Sequence, residues 1–84
     1  MNAEELRNLT TDKTIDCRGT ACPGPLLEAK RKITTVPISG TIEVLSSDAG
    51  TADDIPAWAK KVGHEFLGTL SESGLWRIFL KRGK

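Results

Sequence analysis

With 84 residues and a formal net charge of +1, the chain is the size of one small domain and lacks the clearly basic footprint of a nucleic-acid-binding protein. It contains no run approaching the roughly 20 apolar residues needed to cross a bilayer, and its acidic start does not resemble a signal peptide. We therefore expect a cytoplasmic, monomeric protein with a single domain over residues 1–84. Residues 1–9 form a lead-in, with a short frayed helical turn as the alternative, and residues 83–84 form a tail; both are expected to be flexible.

The first half of the chain has the pattern of a strand, a helix and a second strand. Residues 13–17 alternate so that Ile15 and Cys17 face the core. A helix is predicted over 23–35, followed by a strand over 41–46. The buried stripe of this helix has spacings of three and four residues and consists of Leu26, Ala29, Ile33 and Val36. Together these elements predict a right-handed βαβ unit.

The second half predicts one helix and a hairpin. A capping box of Thr51 and Asp54 would put Pro56 at N5, where its backbone N–H would be required. Asp53 as N-cap moves this proline to N3, so we favour Asp53. Gly63 fits a left-handed residue after the helix, and strands are predicted over 64–72 and 75–82. The last strand has apolar residues on both faces, which indicates a partner that partly covers the far side of the sheet.

The predicted fold class follows from this order of elements. It is a βαβαββ chain, an α/β two-layer sandwich with a four-stranded mixed sheet and two helices packed on one face.

Cys22 lies in the stretch with the clearest chemistry, followed by Pro23, Gly24 and Pro25 at the start of the first predicted helix. If Cys22 is the N-cap, the prolines fall at N1 and N3, where a missing N–H costs little. The sulfur would then face the positive end of the helix dipole, which favours the thiolate. The effect is about one pKa unit or less.

The residues before this cysteine are interpreted as shaping its loop. The Asp16 carboxylate is expected to accept hydrogen bonds from loop N–H groups, and Gly19 permits a positive φ. Arg18 would favour the thiolate of Cys22, whereas Asp16 would oppose it. A direct proton-transfer role for Asp16 remains a second interpretation.

The other candidate residues have simpler interpretations. Cys17 is assigned to inert core packing, with a resolving or regulatory disulfide to Cys22 as the alternative. His64 is the only histidine in the sequence; a dyad with Cys22 is considered, but a capping or surface role is favoured. Two cysteines and one histidine do not supply a zinc site, so no metal is expected.

The order Ile15-Asp16, Gly19, Cys22-Pro23 and Pro25 resembles the motif of the TusA/SirA-like family of small sulfur-carrier proteins. The resemblance covers residues 13–82 and includes Ser47-Asp48-Ala49-Gly50, Asp54-Ile55-Pro56-Ala57-Trp58 and Gly63-His64-Glu65. It implies the same βαβαββ fold. It also implies that Cys22 carries sulfane sulfur as a covalent persulfide, without another cofactor.

The resemblance further implies two kinds of partner. A cysteine desulfurase or rhodanese-type enzyme would donate the sulfur, and a DsrE-like protein or another relay component would accept it. The chain would then be a carrier sulfurtransferase rather than a self-contained enzyme, serving tRNA thiolation or sulfur-compound oxidation. The motif does not separate these routes from selenium- or thiosulfate-related ones.

The helix face near Cys22 carries Leu27, Lys30 and Arg31, which we interpret as a docking surface for acidic partners, with plain solvated surface as the alternative.

Two functions other than sulfur transfer are considered. A small RNA- or protein-binding α/β module is disfavoured by the near-neutral charge and the lack of tyrosine, so no direct nucleic-acid or membrane partner is expected. A thiol-disulfide redox protein using Cys17 and Cys22 is disfavoured. Four residues separate these cysteines, whereas the Cys-x-x-Cys motif of that class has two.

Overall fold

A mixed four-stranded sheet with helices on both faces forms the fold. The computed structural model describes residues 2–19 and 24–84. The elements in chain order are α1 (Ala3–Asn8), β1 (Lys13–Asp16), α2 (Gly24–Ile33), β2 (Thr41–Ser46), α3 (Ala49–Val62), β3 (Glu65–Glu72) and β4 (Leu75–Lys81). The sheet order is β1-β2-β4-β3, with β1 and β2 parallel and the other pairs antiparallel. The predicted α/β fold is confirmed, and α1 is an additional third helix.

The main core lies between the sheet and the pair α2 and α3. Ala29 and Ile33 of α2 are 0% and 2% exposed, which confirms the predicted stripe. They join the inward side chains of α3, β2 and β4, namely Ile55, Ala59, Ile42, Val44, Ile78 and Leu80. Full burial of an aliphatic side chain of this size is worth about 1.5–3 kcal/mol, so this layer supplies much of the driving force for folding.

A second, smaller core lies on the opposite face, under α1. Leu6 is 2% exposed and packs with Leu70 of β3 and Phe79 of β4. Asn2 caps the helix, because its side-chain oxygen accepts a hydrogen bond from the Glu5 N–H and the Glu5 carboxylate accepts one from the Asn2 N–H. Phe79, on the far side of β4, is therefore buried by α1 and β3 of the same chain, whereas the sequence pattern suggested a partner.

A charged cluster lies beside this second core. The Arg77 side chain donates a hydrogen bond to the Glu43 carboxylate, and its guanidinium lies 5.5 Å from the centre of the Phe79 ring. Glu43 is only 7% exposed, so the pair neutralises a charge that would be costly to bury alone. Glu72 extends the cluster to α1 through its 3.5 Å contact with Arg7.

Helix α3 begins earlier than predicted. Asp48 is its N-cap, and the Asp48 carboxylate accepts hydrogen bonds from the Gly50 N–H and the Thr51 hydroxyl. The assignment of Asp53 as N-cap was wrong, and Pro56 lies inside the helix. The fixed φ of proline fits a helix, and the bond that it removes is outweighed by this cap and by complete burial of Thr51 and Ile55. The helix ends at Gly63, whose φ of 95° confirms the predicted left-handed residue.

None of the helices in the described part of the chain is long and apolar enough to cross a membrane.

Candidate functional site

The candidate site is the loop between β1 and α2. The carboxyl ends of the parallel strands β1 and β2 meet at one end of the sheet, so residues 17–19 and 47–48 come together there. Cys22 and Pro23 lie outside the described residues, and their predicted placement at the helix start remains a prediction. Gly24 and Pro25 are the first two residues of α2. Pro25 is thus in the first turn, where its missing N–H costs little.

Asp16 and Arg18 form a closed ion pair at the start of this loop. One Asp16 oxygen accepts hydrogen bonds from the Arg18 backbone N–H at 3.1 Å and from Nε at 2.9 Å, and the other accepts from Nη2 at 2.7 Å. The Arg18 side chain and backbone N–H hold the pKa of Asp16 down to about 2. The predicted role of Asp16 in binding a loop N–H is confirmed. The positive charge of Arg18 is largely offset by this carboxylate.

We expect an Asp16→Asn substitution to lower stability at pH 5–7 and to have a much smaller effect near pH 2. The folded-state pKa of Asp16 is about 2, below the roughly 3.9 of an unfolded aspartate, so its stabilising contribution exists above pH 4 and is lost as the pH falls through 2. Urea unfolding midpoints measured from pH 7 to pH 2 check this. Asp53→Asn, at an exposed position of α3, is the control. A difference from wild type that stays constant down to pH 2 would contradict the assignment.

Gly19 and Ser47 join the loop to the other parallel strand. The Gly19 N–H donates a hydrogen bond of 2.9 Å to Ser47 Oγ, and Gly19 has a φ of 81°, which confirms the predicted positive value. Sequence reasoning did not assign Ser47 a role, because the two residues are 28 positions apart. The available signal was its place in Ser47-Asp48-Ala49-Gly50, part of the resemblance. Ser47 therefore joins the candidate site as a residue that holds the loop.

Cys17 is a buried thiol in the main core, 4% exposed. Its N–H donates to the Leu45 carbonyl at 2.8 Å and so continues the pairing of β1 with β2. Burial raises the pKa of the Cys17 thiol, and the negative charges of Glu28 and Asp16 raise it further. A protonated, buried thiol is a poor nucleophile, so the structure favours the packing interpretation.

We expect Cys17 to resist alkylation in the folded protein and to react once the chain unfolds. The Cys22→Ser variant isolates this thiol, and iodoacetamide labelling followed by intact-mass measurement compares native buffer with guanidinium. The native rate should be at least about 100-fold lower, because burial removes both access and thiolate character. Equal rates in the two conditions would contradict the assignment of Cys17 to the core.

The outer face of α2 presents the three predicted docking residues together. Leu27 is 52% exposed, and Lys30 and Arg31 are also exposed. Arg31 forms an ion pair with Glu28 at 2.9 Å, and Lys30 adds a second positive charge to the same face. The geometry suits a contact surface, and its use in docking remains a prediction.

His64 lies at the other end of the sheet. It immediately precedes β3, whose first residue pairs with Lys81 at one end of the sheet. The candidate site lies at the other end, where Ser46 pairs with Trp76. His64 Nδ1 accepts a hydrogen bond from the Gly83 N–H at 3.0 Å, and the ring lies 5.4 Å from Trp58. This is a structural role, and nothing in it supports a dyad with Cys22. In the described ranges, no three His, Cys, Asp or Glu residues group to hold a metal.

These features define a small α/β domain whose candidate site is a surface loop at a helix start rather than an enclosed cavity. A family model described as Sulfurtransferase TusA matches residues 13–82. The chain belongs to this family, which confirms the predicted resemblance.

Two curated relatives agree with the assignment, and one solved structure shares the fold. A putative sulfur carrier protein of Archaeoglobus fulgidus is 46% identical over 70 residues, covering 83% of this chain and 96% of the relative. The sulfur carrier protein TusA of Pseudomonas syringae pv. syringae is 30% identical over 80 residues, covering 95% of each. A SirA-like protein from Desulfitobacterium hafniense has a TM-score of 0.75 at 23% identity, over 86% of this chain and 99% of that one. This last likeness supports the fold.

Proposed function

We propose that this chain is a sulfur carrier that accepts sulfane sulfur as a persulfide on Cys22 and passes it to an acceptor protein. The observation that carries the proposal is the match over residues 13–82 to a family whose curated relatives are named sulfur carriers, because the matched range includes the Cys22 motif. The loop geometry supports it: Asp16, Arg18 and Ser47 hold the backbone that leads from β1 towards this cysteine.

The proposed chemistry is two successive thiol exchanges. The Cys22 thiolate attacks the terminal sulfur of a donor persulfide, a new S–S bond forms on Cys22, and the donor leaves as a thiolate. An acceptor thiolate then attacks the sulfane sulfur, the S–S bond to Cys22 breaks, and the Cys22 thiolate is regenerated. Sulfur moves without net oxidation, so neither step needs an oxidant or a reductant.

The helix that follows Cys22 would help to keep the thiol ionised. Helix α2 has ten residues and no acidic residue in its first turn, so no carboxylate there opposes the positive end of its dipole. Its last turn contains Lys30, Arg31 and Lys32, which complement the negative end. A contribution of about 0.3–1 kcal/mol lowers a thiol pKa by less than one unit. The carrier would then rely on its partners for the remaining activation.

The partners we propose are a cysteine desulfurase or rhodanese-type donor and a DsrE-like or related acceptor, in tRNA thiolation or sulfur-compound oxidation. The exposed face of Leu27, Lys30 and Arg31 combines an apolar contact with positive charge, which would speed association with acidic partner surfaces. The RNA-binding alternative gains little from the structure, because Phe79 is buried, both tryptophans pack against the core, and one exposed ring, that of Phe66, does not form a stacking platform.

Intact-mass spectrometry after incubation with glutathione persulfide tests the proposal. Wild type and Cys17→Ser should gain the mass of one sulfur atom, and dithiothreitol should remove it. Cys22→Ser should gain nothing. The proposal fails if wild type is not modified or if Cys22→Ser is modified to the same extent.

A further inference from the structure

A groove of about 530 Å³ lies between α3 and the start of β3, away from the candidate site. It is lined by Pro56, Ala57, Lys60, His64, Glu65 and Phe66. Phe66 is 41% exposed, whereas aromatic side chains usually bury most of their surface. Proline, alanine and the phenylalanine ring give the groove an apolar floor.

The charges that line this groove are balanced, and the residues beside it are positive. Lys60 lines it directly. Burial lowers the pKa of the His64 imidazole, and the nearby positive charges of Arg82 and Lys84 lower it further. Glu65 is the acidic residue in the lining, and it sits opposite Lys81 in the register of β3 and β4. Lys60 and Glu65 therefore balance within the lining, and Lys81, Arg82 and Lys84 beside it give the region around the exposed ring an excess of cations.

We propose that this groove docks an acidic segment of a protein partner, with an apolar side chain against Phe66 and carboxylates near Lys60. Charge complementarity selects this occupant, because a neutral or basic segment would leave the cations around the groove unmatched. The exposed phenylalanine provides the kind of aromatic anchor that carries binding energy at protein interfaces. The groove is small, so the complex is a weak and reversible one.

A partner docked in the groove would leave the candidate site accessible. Glu65 and Phe66 begin β3, whereas the hairpin after Glu72 lies at the loop end of the sheet. An eight-residue strand spans roughly 23 Å, so the two regions are at opposite ends of the domain. A partner held in the groove would keep the chain nearby while the loop end faces a second protein.

An NMR titration tests this docking surface. The probe is a short peptide with a central leucine–phenylalanine pair flanked by glutamates, added to the isotope-labelled full chain. Amide shifts should centre on Lys60, His64 and Phe66. Lys60→Glu and Phe66→Ser should each raise the Kd about ten-fold or more. Lys13→Glu, on the opposite edge strand, and Ile38→Ser, an apolar residue that is 64% exposed outside the groove, should leave it within about two-fold.

Three results would overturn the proposal. These are equal binding of a peptide in which lysines replace the glutamates, shifts centred outside the groove, and an RNA oligomer that shifts the groove residues when the acidic peptide does not. Sulfur loading of Lys60→Glu with glutathione persulfide is measured in parallel. Normal loading of Lys60→Glu with lost peptide binding supports the groove, and normal peptide binding by this variant contradicts the groove whatever its loading. If wild type binds the peptide but does not load, the result tells only against the proposed carrier function.

Discussion

A Gly19→Ala substitution is expected to slow sulfur loading of Cys22 by about five- to thirty-fold. Gly19 has a φ of 81°, and a side chain in the left-handed region costs roughly 1–2 kcal/mol. Among the described residues other than its chain neighbours, no atom lies within 4 Å of the position that a Cβ at Gly19 would occupy, so the expected penalty is that of the backbone. The loop would relax away from the conformation held by Ser47. The initial rate of mass gain with glutathione persulfide measures the effect.

Gly74→Ala provides a matched control for this experiment. Gly74 also has a φ of 81° and open space around its Cβ position, but it lies in the hairpin between β3 and β4. Both variants should lose similar stability in urea, and only Gly19→Ala should lose loading rate. An equal loss of rate in the two variants would mean that the effect is a general loss of stability. An unchanged rate in both would remove any role for the loop conformation.

A Phe79→Ala substitution is expected to lower the free energy of unfolding by about 3–5 kcal/mol. Phe79 is 0% exposed, packs with Leu6 and Leu70, and lies under the Arg77 guanidinium. An 84-residue domain has a total stability of roughly 4–13 kcal/mol, so this loss is a large fraction of it. Leu6 of α1 would lose one of the two buried side chains with which it clusters. Urea denaturation followed by circular dichroism measures the change.

The other phenylalanine is the control for this prediction. Phe66 is 41% exposed, so Phe66→Ala should cost no more than about 1 kcal/mol. If Phe79→Ala does not fold, Phe79→Leu, with an expected loss of about 1–2 kcal/mol, gives the same comparison. Similar losses at both positions would show that the α1 side of the sheet is not a true core.

The elements with strong periodicity could be predicted from the sequence. The buried stripe of α2, the bounds of β2 and the left-handed Gly63 follow from local rules, and the structure has them as expected. The sequence pattern did not predict α1 as a stable helix, because a helix of six residues is too short to be stable without tertiary contacts. Its local signal was the Asn2 and Glu5 capping box. The start of α3 was misplaced because the cost of Pro56 inside a helix was given too much weight against the Asp48 cap.

The candidate site was predictable where its contacts are local. The pairing of Asp16 with the Arg18 N–H spans two residues, and the positive φ of Gly19 follows from its residue type in a turn. The tether from Gly19 to Ser47 depends on the parallel pairing of β1 with β2, which no local pattern specifies. The groove beside Phe66 likewise arises from the packing of α3 on β3.

The place of β1 in the sheet has a consequence for motion. This strand has four residues and pairs only with β2, whereas β4 lies in the middle of the sheet between two partners. A short edge strand opens by local unfolding at a lower free energy than a central one. Backbone amides of β1 should therefore exchange with deuterium faster than those of β4 under native conditions. The segment leading to Cys22 can thus adjust its shape while the rest of the domain stays folded.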